Sequence, residues 1–418
     1  MLAWPRRRAD PPARQQPEFN CQDSLNDTPH VRLRQLQRST RAGELPRSGR
    51  GRQLSVASEA GSMLCARLVR PGKLSLIQEE IPQPTVDRPL IRVSAVGLCG
   101  SDAHWYEHGS TDDSKLEHPL ILGHEFAGTV ETGSWAGRRV AVDPAVSCLS
   151  CDACQDDRAH LCRRIEFAGH GRTDGALRPY MTWPERSFVP LPDEVSDAEG
   201  ALLEPLGVAL HALDLAVELR PAGAWESVGV FGSGPIGLLL IAALKSPGLE
   251  SSGLRASGLQ SLPVSNVIAT DRLQHRLTAA VAMGATMTAL ATSDWGEVEL
   301  VLGATKGRGV DIAFDASGDP AATEAAIAAV RPGGVVVLVG IPSTDRTSFT
   351  ASTARRREVV MIVCRRMKPG DLERAVALAA TGTIPLSRMI SDRFALENVD
   401  DAFSALTERR GLKVIVEP

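Results

Sequence analysis

Two groups of metal-binding side chain types stand out in the 418-residue chain, and they are spaced differently. Cys148, Cys151, Cys154 and Cys162 form a Cys-x2-Cys-x2-Cys-x7-Cys run. Four thiolates this close can close a tetrahedron around one zinc ion and leave no vacancy, the mark of a structural site. Two disulfides are the competing use. Against them, the other four cysteines (Cys21, Cys65, Cys99, Cys364) are dispersed, and no apolar signal-peptide core precedes them. Upstream lie Gly97-Leu-Cys99-Gly-Ser101-Asp102-Ala-His104 and the triplet Gly123-His124-Glu125. Cys99, His124 and Glu125 mix soft and hard ligands from separate segments, with room for water or substrate, which is how a catalytic zinc is held. A lone cysteine is usually a buried thiol and a lone histidine a satisfied core residue. Their joint occurrence ahead of the cysteine run favours metal, so about two zinc ions per chain are expected.

The second half is patterned to bind a dinucleotide. Ser227–Phe231 reads as a short apolar strand, followed at once by Gly232-Ser-Gly234-Pro235-Ile236-Gly237 and a helical run from Leu238 to Lys245. Strand, glycine turn and helix in this order give Gly-x-Gly-x-x-Gly its meaning. Gly232 permits the tight turn, Gly234 lets backbone approach a pyrophosphate, and Gly237 lets helix pack on strand, while the helix N-terminus offers N–H groups to phosphate oxygens. A second strand, Val267–Asp271, ends in an acid suited to ribose hydroxyls, which favours NAD over NADP; Arg272 directly after it pulls the other way. Further alternation through Asp311–Ser317, Ala321–Val330 and Val335–Ile341 predicts a parallel, doubly wound sheet. The interval to Asp271 is lengthened by Pro247–Asn266, expected to be a surface connection at the sheet edge away from the ligand crevice.

The length predicts two domains, and 43% hydrophobic with 23% charged residues is ordinary for a soluble globular protein. No apolar stretch reads as long and clean enough to span a bilayer. A formal net charge of −4 gives no electrostatic reason to expect nucleic acid. Residues 1–62 differ in kind: arginines, prolines, glutamines and serines with scarcely any apolar periodicity predict a disordered extension. Asp10, Glu18, Asp23 and Asp27 fit a transit peptide poorly. Folding information is expected to begin near Met63, with the leader read as an over-extended translation start in preference to a regulatory or anchoring tail.

With both zinc patterns and the glycine turn in hand, the chain from about Met63 to Pro418 resembles the zinc-dependent medium-chain dehydrogenases, most closely the sorbitol, iditol and xylitol dehydrogenase branch. The resemblance is carried by Gly97-Leu-Cys99-Gly-Ser101-Asp102, Leu122-Gly-His124-Glu125-Phe-Ala-Gly-Thr, the four-cysteine lobe, Leu203-Glu204-Pro205-Leu-Gly-Val and the glycine turn. It implies an α/β protein: a GroES-like β-rich catalytic domain at 63–207, a Rossmann NAD-binding domain at 208–342, and a return to the catalytic domain at 343–418. It also implies catalytic zinc on Cys99, His124 and Glu125, with Glu204 a ligand or a partner of the metal-bound water. Ser101 and His104 would relay the substrate proton, Asp102 would orient neighbours, and Arg276 would stand beside the cofactor. Arg366, in Arg357–Met367, would reach the hydroxyls of a polyol with its planar fork of donors. Tyr106 and Phe167 are candidate pocket walls. The implied activity is NAD-dependent oxidation of a polyol or secondary alcohol to a ketone; threonine, butanediol or simple alcohol dehydrogenation and a catalytically silent relative are the alternatives. A cytoplasmic homo-oligomer, dimer or tetramer, with no nucleic-acid or membrane partner, completes the expectation.

Overall fold

The computed structural model describes residues 61–111, 114–220, 225–246, 264–342 and 346–418. Nearly all of the extension expected at 1–62, and most of the Pro247–Asn266 connection, lie outside the described residues. The first strand begins at Ser62.

Apolar runs without alternation become the middle of a parallel sheet. Six strands align in the order Met287–Leu290, Asn266–Asp271, Ser227–Phe231, Val310–Asp315, Val330–Leu338 and Val360–Val363. Ser227–Phe231 and Val310–Asp315 are buried along their whole length, as helices on both faces require. The strand order reverses between these two, and the glycine turn leaves the sheet at that switch point, where α/β sheets open a ligand crevice. Val360–Val363 corrects the expected boundary at residue 342, because the parallel sheet takes its sixth strand from beyond it. The run is apolar in the sequence, yet as an edge strand it keeps three of its four residues exposed.

A second, mostly antiparallel sheet carries the other half. Leu90–Gly97 pairs with Glu125–Val130 on one side and with Lys413–Glu417 on the other. Gly97 stands opposite both Glu125 and Ile415, so the start of one strand and the end of the chain meet at the same point. The residue must be glycine, since a β-carbon there would run into the Glu125 side chain, whose own Cβ would be 3.3 Å away. Ile390–Ala395 lies parallel to Lys413–Glu417 and completes the return of the chain.

Helix Leu203–Leu219 joins the two halves, sharing one apolar core with Ala95, Ala127 and Ala141 of the antiparallel sheet and Val228, Val230 and Ile312 of the parallel one. It corrects two expectations. It straddles the boundary set at residue 207, and within Asp197–Leu219 it is long and apolar enough by composition to cross a membrane. Its apolar stretch is 89% buried inside the protein, so its hydropathy reflects a core helix packed on both sides.

Two buried acids show how local partners decide the cost of a charge. Asp311 is fully buried, yet accepts from the backbone N–H of Glu226 (2.8 Å) and Ser227 (3.1 Å) and from Arg308 and Arg331. Burial raises its pKa, but these donors and cations outweigh it and hold the carboxyl below the usual range. Asp143, largely enclosed at the end of Arg139–Val142, accepts from the Ala145 N–H at 2.8 Å, and burial pushes its pKa up to about 6. Between about pH 4 and 6 the native protein therefore binds a proton that the unfolded chain releases, so Asp143 costs stability increasingly as pH rises through this window. Asp143→Asn, which keeps an acceptor for Ala145, is expected to be about 1–3 kcal/mol more stable than the parent at pH 8. Denaturant unfolding at a series of pH values should show that advantage shrinking to nothing near pH 4.

Candidate active site and metal centres

The open ligand set is assembled where a helix start and a strand start meet. Cys99 is the N-cap of Gly100–His108, its backbone N–H donating to Asp102 Oδ2 at 2.8 Å. Glu125 opens its strand directly after His124, and Gly123 at φ +91° turns the chain there. One ligand atom from each of Cys99, His124 and Glu125 lies within 4.8 Å of the others, as shared coordination of one ion requires. Glu204 is not part of that close group, which leaves it the place of a partner to a metal-bound water. It sits in the first turn of Leu203–Leu219, buried and without a capping role, and feels His124, Glu125 and Lys413. Burial is the main force pushing its pKa up to about 7. A carboxyl so placed can hold or release a proton near neutrality.

Every charge in the set has a compensating neighbour. Asp102 is fully buried; its Oδ1 accepts from the Gly123 N–H at 3.2 Å and faces His124 Nδ1 at 3.6 Å. Burial opposes ionisation of both, but their mutual attraction prevails, lowering the Asp102 pKa and raising that of His124. Lys413 was not singled out from the sequence. It is 1% exposed, donates to the Leu98 carbonyl at 3.0 Å and forms an ion pair with Glu125. Burial works against its charge, yet Glu125 and Cys99 keep its pKa raised.

Ser101 and His104 are half-buried and three residues apart on one helix, hence on one face. The His104 ring is 5.8 Å from that of His108, an exposed residue in the last turn, so the face runs outward through a histidine the sequence reading did not include. Tyr106 instead packs against Phe403 at 5.0 Å in the core, which corrects its reading as a pocket wall. Phe167 does face the ligands, 5.3 Å from the His124 ring. Arg366, in the left-handed region at φ +59°, lays its guanidinium 4.7 Å over the centre of Phe167 and reaches the His160 carbonyl at 3.4 Å. Met367 is buried against Gly207 of the long helix.

The four lobe cysteines likewise bring their sulfurs within 4.8 Å of one another. The Cys151–Cys154 and Cys151–Cys162 sulfur distances, 3.5 and 3.8 Å, far exceed a disulfide bond and match the ~3.8 Å edge of a tetrahedron with ~2.3 Å zinc–sulfur arms. Hydrogen bonds from the Ser150 backbone and hydroxyl, aided by Arg164, bring the Cys148 thiol down to about 5, close to the thiolate a metal needs.

At the glycine turn, Gly232 has φ +97° and Gly234 begins the helix with Pro235 in its first position. Ile236 is half-buried, and a β-carbon at Gly237 would collide with the Gly232 carbonyl. Asp271 ends its strand 9% exposed, accepting from the N–H groups of Ser233 and Leu273, each at 2.8 Å. Arg272 is committed elsewhere, pairing with Asp319 at 2.9 Å. Arg276 is the cation beside the turn, its guanidinium 3.5 Å from where a β-carbon of Gly234 would stand.

Comparison with known proteins agrees with this arrangement. Residues 87–193 match the model of the alcohol dehydrogenase GroES-like domain and residues 258–381 that of zinc-binding dehydrogenase. A sorbitol dehydrogenase of Bacillus subtilis is 33% identical over 350 residues, which cover 81% of this chain and 93% of that one. D-xylulose reductase A of Aspergillus niger is 32% identical over 350 residues, 81% and 92% of the two chains. The solved structure of 2R,3R-butanediol dehydrogenase from Bacillus subtilis superposes with a TM-score of 0.70 at 26% identity, covering 85% of this chain and all of that one (100%). Held together by its metal-ligand sets, its glycine turn and these relatives, the chain belongs to the zinc-dependent medium-chain dehydrogenase family of alcohol and polyol oxidoreductases.

Proposed function

We propose that the protein oxidises a polyol, or a secondary alcohol of that kind, to the ketone with NAD, as a sorbitol, iditol or xylitol 2-dehydrogenase would. The observation that carries the polyol reading is the stack of Arg366 on Phe167, which itself lies against His124. A guanidinium one ring away from a metal ligand offers paired donors to the hydroxyls next to the reacting carbon, whereas a simple alcohol has nothing for it to bind. Sorbitol dehydrogenase and D-xylulose reductase among the relatives support the same class.

Cys99, His124 and Glu125 would hold a zinc ion that, when bound, acts as a Lewis acid towards an alcohol oxygen. Gly232, Gly234 and Gly237 would hold NAD, which when bound would supply the hydride acceptor. The remaining work falls to the chain. Asp102 holds the His124 ring by Nδ1, and Ser101 receives the substrate proton and passes it to His104, from which His108 leads to solvent. Glu204, buried beside His124 and Glu125 with its pKa raised to about 7, can hold a proton next to the site near neutrality. Asp271 favours NAD because its carboxylate suits ribose hydroxyls and repels a 2′-phosphate, and Arg272 is drawn off by Asp319. Val360, Met361 and Val363 leave an apolar edge strand exposed, consistent with a homo-oligomer.

Elemental analysis of the purified protein is expected to give about two zinc ions per chain. Cys151→Ser should lose one ion together with stability, and Cys99→Ser should lose activity while keeping the fold; a fully active preparation without metal would exclude the reading. Asp271→Ala should narrow the preference for NAD over NADP by about tenfold or more, measured as the ratio of specificity constants. A parent enzyme that prefers NADP would hand that pocket to Arg276. Arg366→Ala is expected to cut kcat/KM for sorbitol or xylitol roughly 10- to 100-fold and leave that for a small secondary alcohol within a few-fold. Equal losses on both substrates would favour a simple alcohol or butanediol as the natural one.

A further inference from the structure

The ion pair between Glu125 and Lys413 is buried on both sides, each residue 1% exposed. Lys413 Nζ also donates to the carbonyl of Leu98, the residue before Cys99, and the Leu98 N–H donates in turn to Val414 at 3.0 Å. One ammonium group thus holds both flanks of the ligand set, the backbone leading into Cys99 and the carboxylate of Glu125. Gly97, with no side chain to fill the space, reserves the slot through which that carboxylate passes. The second charged pair in the set, Asp102 with His124, is closed in the same way.

We infer that Lys413 is a positioning residue that serves as the resident counter-charge of the open metal site, pairing with the Glu125 carboxylate and holding it aimed at the metal position while no metal is bound. The inference rests on the reading of Cys99, His124 and Glu125 as zinc ligands. A buried carboxylate stripped of the ammonium group paired with it is strongly unfavourable, whereas an arriving zinc ion can supply the missing positive charge. Folding should therefore depend little on open-site zinc in the parent, and heavily on it once Lys413 is removed.

Thermal unfolding of the full chain decides the matter, comparing preparations stripped to one zinc ion (closed lobe only) with preparations refilled to two, each verified by elemental analysis. With the open site empty, Lys413→Met is expected to lower the midpoint by on the order of 5–10 °C. With zinc in place the deficit should fall by at least half. Lys413→Arg should restore most of the midpoint in both states, and Lys413→Met combined with Glu125→Gln should recover most of the loss in the empty state, because no buried charge is then left unpaired. A deficit equal in the two states would assign Lys413 to packing alone and overturn the inference. If Lys413→Met does not fold, the double variant decides: recovery supports the counter-charge and failure to recover refutes it. A parent that never takes up a second zinc ion would sink the zinc reading itself, a result separable from the variants because it is read on the parent.

Discussion

A charge inside a protein survives only beside an opposite one, and the antiparallel half of this molecule is arranged around that demand. Glu125 lies at the start of a strand with almost no exposure, so a cation had to be delivered to it. The chain does so by returning after the parallel sheet, laying Ile390–Ala395 and Lys413–Glu417 beside Leu90–Gly97. The register that puts Ile415 opposite Gly97, and Gly97 opposite Glu125, brings Lys413 to the carboxylate. Asp102, in the helix that Cys99 caps, meets the same demand at shorter range in His124.

Helix Leu203–Leu219 would then tie the proposed substrate arginine to the proposed proton chemistry. Glu204 is in its first turn, and Asp214, further along, accepts Lys368 at 2.6 Å and Arg374 at 2.8 Å. Both cations follow Arg366 and Met367 closely in the chain, and Met367 rests on Gly207 of the same helix. The arginine that would meet substrate and the acid near the metal are thus fixed to one rigid element, so their spacing does not depend on loops.

What could be read from the sequence was whatever lies close along the chain. The four cysteines fall within one short lobe and Gly232 to Gly237 within one turn, where spacing alone brings their atoms together; Cys99 and the His124–Glu125 pair stand out as short recognisable segments that the fold then unites. Lys413 was not, because it lies 288 residues from Glu125 and only strand register unites them. The strand Val360–Val363 is as apolar as Ser227–Phe231, but it lies past the expected boundary at residue 342, and only its pairing with Val330–Leu338 assigns it to the parallel sheet. Tyr106 and Phe167 looked alike in the sequence, and only the helix face of one and the hairpin pairing of the other, Phe167 opposite Ala145, separated core from cleft.

The separation of Glu125 from Lys413 also bears on how the protein is born. Synthesis runs from the N-terminus at roughly 5–20 residues per second, so Glu125 exists for roughly 15–60 seconds before the ribosome adds Lys413, 288 residues later. Throughout that interval the antiparallel sheet lacks the strand that neutralises its own buried acid. The parallel sheet, whose last strand ends at Val363, can already be complete. Nascent chains should therefore pass through a stage with a finished parallel sheet and an unfinished antiparallel one, which only the final strand completes.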